Sequence, residues 1–191
     1  MLTIPNPLNW ERSSQQNRRK NRVLAAAGPL HLVVMKTSFR IVGLPLAQFG
    51  PLFSLNDNEL AQKGARRVIV DAKPGFPCRV SLEDAEIGEK VILLPFTHHD
   101  VDSPYRGSGP IFVRERAKEA DLAPGELPEV VRTRLISVRA YDDNGMMLDG
   151  TAVPASEIKA HIEKLFANPK IEYLHLHNAG AGCYSCRVER A

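Results

Sequence analysis

Residues 173–188, YLHLHNAGAGCYSCRV, alternate polar and apolar side chains on either side of a glycine-rich stretch. Period-two alternation is the signature of a half-buried strand, and a short Gly-rich break between two such runs reads as a hairpin. This feature demands that the chain build an antiparallel sheet and find a core for one face of it. Tyr173, His175 and His177 share a face, with Leu174 and Leu176 on the other. With NAGAG (178–182) as a five-residue loop, His177 faces Cys183, His175 faces Ser185 and Tyr173 faces Arg187. On the opposite face Leu176 meets Tyr184, Leu174 meets Cys186 and Glu172 meets Val188. A slip of one residue would mix Ser185 and Arg187 with the leucines, so segregation of polar from apolar favours this register.

The two cysteines of this hairpin do not form a joint motif. Three apart in a strand, they point to opposite faces with Cα atoms about 10 Å apart. That is too far for a disulfide and wrong for sharing one ion. Cys186 is expected in the core and Cys183 beside the histidines.

The rest of the body supplies the elements that cover such a sheet. PASEIKAHIEKLFANP sets Ile158, His161, Ile162, Leu165 and Phe166 on one side of a helix between Pro154 and Pro169, with His161 as a packing histidine. A shorter helix is expected over about residues 57–63, ending at Gly64. SFRIVGL (38–44), RRVIVDA, KVILLPF (90–96) and IFVRE read as strands, KVILLPF as one buried on both faces. Residues 97–110, THHDVDSPYRGSGP, give the longest loop signal. RTRLISVRAYDD is a strand leading into Asn144-Gly145, the preferred type I′ hairpin dipeptide. Within that strand Arg139 alternates away from Ile136 and Val138 and forms no patch visible in the sequence. Many hairpin-connected strands with few helices predict an α+β fold: a mostly antiparallel sheet, two or three short helices and a C-terminal β-hairpin.

With 191 residues, 43% of them hydrophobic, the chain can bury one substantial core, and a single domain is expected over residues 35–191. The formal charge of +3 is unevenly spread. Arg12, Arg18, Arg19, Lys20 and Arg22 against Glu11 give the first 34 residues +4 and leave the remainder at −1. No nucleic-acid footprint follows for the globular part, and no run of 18 apolar residues indicates a membrane span. Residues 1–34 are expected to be a disordered basic arm or an extension preceding a start at Met35; Pro29 and His31 interrupt the apolar run that a signal peptide would need. Three cysteines are too few for a disulfide scaffold, which favours a reducing, cytoplasmic setting.

Imidazole, thiol and phenol are groups that titrate or bind, and the hairpin's polar face carries them where a merely wet face would carry Lys and Glu. Three readings follow. The leading one is a pocket for a small anionic molecule between the hairpin and the 97–110 loop, lined by Arg79, Tyr105, Arg106, His175, His177, Asn178 and Cys183. The second is an enzyme: His175 and His177 would ligate a metal, completed by Cys183 or by His98, His99 or Asp100, or else His177 would activate Cys183 as a nucleophile. The third is an interaction module that uses the sheet face without chemistry. No cofactor and no oligomeric state are specified by the sequence.

DAKPGFPCRVSLEDAEIGEKVILLPF, DSPYRGSGPIFVRE, RAYDDNGMM and YLHLHNAGAGCYSCRVERA, in this order, resemble the bacterial protein family known as domain of unknown function 1203. The resemblance runs from about Met35 to the C-terminus. It implies a bacterial cytoplasmic protein whose domain begins near FRIVGL, and it implies no activity, cofactor or catalytic residue.

Overall fold

In the computed structural model, which describes residues 38–191, the strands form two antiparallel sheets. The expectations for residues 1–34 lie outside the described residues. Five strands make the larger sheet, in the order β1 (Phe39–Val42), β8 (Tyr184–Arg190), β7 (Tyr173–Asn178), β5 (Ile136–Tyr141) and β6 (Met147–Val153). The smaller sheet holds β2 (Arg66–Ile69), β3 (Lys90–His99) and β4 (Gly107–Arg114). Four short α-helices accompany them: α1 (Gly50–Phe53), α2 (Asp57–Gln62), α3 (Glu129–Arg132) and α4 (Ile158–Phe166). The protein is therefore α+β with a C-terminal β7–β8 hairpin. Among the described residues no helix is long and apolar enough to cross a membrane.

Alternation decides the faces of the larger sheet. Ile136, Val138 and Ala140 of β5, Leu174 and Leu176 of β7, and Cys186 and Val188 of β8 all enter one core with Ile158, Ile162, Leu165 and Phe166 of α4. Each of the Val, Leu, Ile and Phe side chains contributes roughly 1.5–3 kcal/mol by leaving water, so this face and the α4 stripe specify each other. The intervening residues, Ser137, Arg139 and Tyr141 of β5 with Tyr173, His175 and His177 of β7, are paired across the strands and must share the opposite face. A second core is built from Ile92 and Leu94 of β3, Ile111 and Val113 of β4, and Leu60 of α2. Val91 of β3 is also fully buried, in a separate cluster with Val70 and Ala85, as expected for a strand covered on both sides.

Three local expectations need correction. Residues 97–110 are not one long loop: β3 continues through His99 and β4 begins at Gly107, leaving only 100–106 as the connection. The Asn144-Gly145 turn is not a two-residue type I′ turn. Gly145 alone takes a positive φ (71°), its N–H donates to the Asp142 carbonyl, and the Asp142 carboxylate accepts from the N–H groups of Asn144 and Met146. The loop is a type I turn closed by a left-handed glycine, with three residues (143–145) rather than two between Asp142 and Met146, whose backbones are bonded.

The third correction is the register of the terminal hairpin. Leu176 lies opposite Cys186, Leu174 opposite Val188, His175 opposite Arg187 and Tyr173 opposite Glu189. A slip of two residues keeps every side chain on its own face, so alternation cannot tell this register from the expected one. A bulge between Leu176 and His177 then brings Tyr184, not Cys183, opposite His177. Tyr184 thereby leaves the apolar face and joins the histidines, while Cys183 pairs through its carbonyl with the Asn178 N–H.

Candidate functional site

The β3–β4 hairpin carries two histidines onto the polar face of the larger sheet. Adjacent residues of a regular strand point to opposite sides, yet His98 packs against His175, His177 and Tyr184 while His99 packs against Tyr141, Tyr173 and His175. The register of β3 against β4 shifts between Thr97 and His99, and this bulge turns both rings the same way. Gly107, opposite the bulge, makes room for them: a Cβ there would stand 2.9 Å from Cε1 of His98. Four of the six histidines in the chain thus meet at one place.

His99 is fully bonded. Its Nδ1 lies 2.8 Å from the Tyr105 carbonyl, which can only accept, so Nδ1 carries the proton and Nε2 accepts from the Tyr173 hydroxyl at 2.8 Å. The other three rings are not. His177 donates Nδ1–H to the Gly182 carbonyl at 3.0 Å, leaving Nε2 buried without a partner. Nδ1 of His98 and Nδ1 of His175 are likewise buried and unpartnered. One nitrogen from each of these three rings lies within 4.8 Å of the others. Leaving a buried polar atom unpaired costs about 1–3 kcal/mol, and three such atoms belong to the rings of this cluster.

Burial dominates the electrostatics. Desolvation, helped by neighbouring cationic groups, drives the pKa of His98 and of His177 down to about 4 and that of His175 down to about 2. All three rings are neutral near pH 7 and keep a free lone pair. Burial pushes Tyr184 and Tyr141 upward, and Arg139 beside Tyr141 acts against that rise. The tyrosines are therefore hydroxyls, with Tyr184 stacked on His98 at 5.1 Å and Tyr141 stacked on Tyr173 at 5.4 Å.

His98, His177 and Tyr141 of this cluster border an open cleft of about 580 Å³. His98 and His177 reach it from the ring cluster, Tyr105, Arg106 and Ser108 from the β3–β4 hairpin, and Ser137, Arg139 and Tyr141 from β5. Arg106 is tied to Asp100 at the exposed edge. No carboxylate among the described residues lies within salt-bridge distance of Arg139. It is a half-buried guanidinium facing the cleft without a counter-charge.

Of the residues singled out in the sequence, Tyr105, Arg106, His175 and His177 come together at this site. Arg79, Asn178 and Cys183 do not. Arg79 is buried, donating Nε–H to the Tyr184 carbonyl at 2.8 Å and Nη1–H to the Pro77 carbonyl. Its task is to tie residues 77–79 to β8, and burial lowers its pKa to about 10, still protonated at neutral pH. Asn178 lines a different groove with Pro74, Arg134 and Leu135. The Cys183 thiol lies 3.9 Å from the Ala181 carbonyl of its own loop and is not part of the ring cluster. Sequence reasoning missed Ser137, Arg139, Tyr141 and Tyr184. The first three carried a usable signal, since ISVRAY alternates as cleanly as YLHLH and its polar residues had to share a face with those of any neighbouring strand.

The family model of a protein of unknown function, DUF1203, matches residues 75–190. The chain belongs to this family. The match takes in β3, β4, the C-terminal hairpin and every ring of the cluster, so the site described is a DUF1203 site. No curated protein and no solved structure matches the chain significantly.

Proposed function

We propose that this DUF1203 protein binds a small anionic molecule in the cleft between the β3–β4 hairpin and the polar face of the larger sheet. Arg139 is the observation that carries the reading. A partly buried guanidinium without a carboxylate partner, facing an open cleft, is the arrangement that a carboxylate or phosphate oxygen completes. Ser137 and Ser108 supply hydroxyls on either side, and Arg106 stands at the mouth, where release from Asp100 would add a second cation. Tyr105 is held in the wall because His99 bonds its carbonyl. The three cysteines are all free, which supports the cytoplasmic setting.

Titration of the protein with inorganic phosphate and, separately, with succinate tests the reading by isothermal calorimetry and by thermal shift. One of the two anions is expected to bind saturably and raise the unfolding midpoint. Arg139→Gln should weaken that binding by about 10–100-fold, the worth of a charge-assisted hydrogen bond. Equal binding by wild type and Arg139→Gln, or no binding by either anion, sinks the proposal.

A further inference from the structure

We propose that His98, His175 and His177 form a binding site for one divalent transition-metal ion of the zinc class, beside the cleft. The observation behind it is that one imidazole nitrogen from each of the three rings lies within 4.8 Å of the others, together with a bare buried nitrogen on every one of the three rings. Aromatic packing accounts for the faces of these rings. It does not account for their unpartnered nitrogens, because a stacked cluster needs apolar or bonded edges.

The donor set selects the ion. Three neutral imidazoles without a carboxylate suit zinc and its borderline neighbours, cobalt, nickel and copper, and give magnesium, calcium or manganese no oxygen to hold. Ligands at about 2.0–2.1 Å in a tetrahedron lie roughly 3.3 Å apart, so side-chain shifts of about 1 Å close the site. His177 already has the outer contact typical of a ligating histidine. Its Nδ1–H is given to the Gly182 carbonyl, which fixes the ring and leaves Nε2 to coordinate. Gly182 takes a positive φ of 76° to present that carbonyl, which is a reason for the glycine in NAGAGC. Gly107 performs the corresponding service for His98 by making room for its ring.

Three protein ligands leave a fourth position. His98 and His177 also line the cleft, so that position opens toward it, where water or an oxygen of a cleft ligand can bind. The centre is of the open type, not a closed structural site. It requires no bound anion, and its test uses metal alone.

The full chain, stripped with a chelator and re-equilibrated with zinc, should retain one ion per chain after gel filtration, measured by elemental analysis. Cobalt in its place should show the visible d–d absorption of a four-coordinate nitrogen site. His98→Ala, at the partly exposed ligand, should weaken zinc binding by more than the ~10–100-fold that outer contacts contribute. Gly182→Ala should weaken it within that range, and His161→Ala, on α4, should leave it unchanged. Failure of wild type to retain zinc and to give the cobalt spectrum overturns the proposal without reference to any variant. So does unchanged affinity in a folded His98→Ala protein. If zinc binds while phosphate and succinate do not, the metal site stands and the anion reading falls; the converse result separates them the other way.

Discussion

Burial sorts the three thiols. Cys186 lies in the α4 core at 1% exposure, and desolvation pushes its pKa up to about 12. Cys78 is equally enclosed, whereas Cys183 sits half-buried in the hairpin loop. Alkylation of the native protein should therefore modify Cys183 alone, with Cys78 and Cys186 reacting only after unfolding; mass spectrometry of the labelled peptides decides it. A second residue-scale prediction concerns Asp84, which is 2% exposed and receives one Arg134 nitrogen on both carboxylate oxygens at 2.7 Å, with the Gly75 N–H at 3.1 Å. Asp84→Ala strands the guanidinium, and a loss of about 3–5 kcal/mol is expected. The place of Cys186 was legible from alternation alone. The place of Cys183 was not, because a bulge one residue away changes which side chain faces His177 without altering the hydrophobic pattern around it.

At the scale of elements, strands and the long helix were written plainly in their periodicity, and their ends and bends were not. The register of β7 on β8 is decided by loop geometry, and registers two apart satisfy the same alternation. β3 reads as a strand that stops at Phe96 because Thr97, His98 and His99 are polar; the register shift after Thr97 turns the two histidines onto the site. The turn between β5 and β6 shows how a close approach constrains one residue. Gly145 has φ 71°, a Cβ there would stand 2.9 Å from the Val101 side chain, and its carbonyl accepts from the Ser103 hydroxyl at 2.9 Å. This glycine joins the β5–β6 turn to the 100–106 connection that shapes the cleft. Gly145→Ala combines a left-handed backbone with a steric clash, and a destabilisation of at least about 1 kcal/mol is expected in urea unfolding. In α2 the capping box is complete: Asn56 accepts from the N–H groups of Asn58 and Glu59, and Glu59 returns the bond to the Asn56 N–H. Asn56→Ala should cost about 1 kcal/mol by the same measurement.

At the scale of the whole molecule, the site is a product of docking the β3–β4 hairpin on the larger sheet, and no single stretch of sequence contains it. His99 and Tyr173 are 74 residues apart, and their hydrogen bond is buried between the two sheets. A sequence can show that each strand has a polar face. It cannot show that two such faces meet, because that depends on how the crossing connections pack. This bond offers the measurement that isolates the docking. Tyr173→Phe removes the donor and leaves Nε2 of His99 buried and unpaired, a loss of about 1–3 kcal/mol. His99→Phe removes the acceptor and also frees the Tyr105 carbonyl. If the bond ties the sheets together, the double variant should be less destabilised than the sum of the singles, with a coupling of about 1 kcal/mol. Amide exchange should locate the effect as well. In Tyr173→Phe, protection should fall over residues 97–107 while the strands around Ile136, Leu174 and Val188, whose core against α4 is untouched, keep theirs. Additive singles, or a uniform loss of protection over both sheets, would show that the hairpin is held by its apolar cores and that the His99–Tyr173 bond is incidental to the cleft.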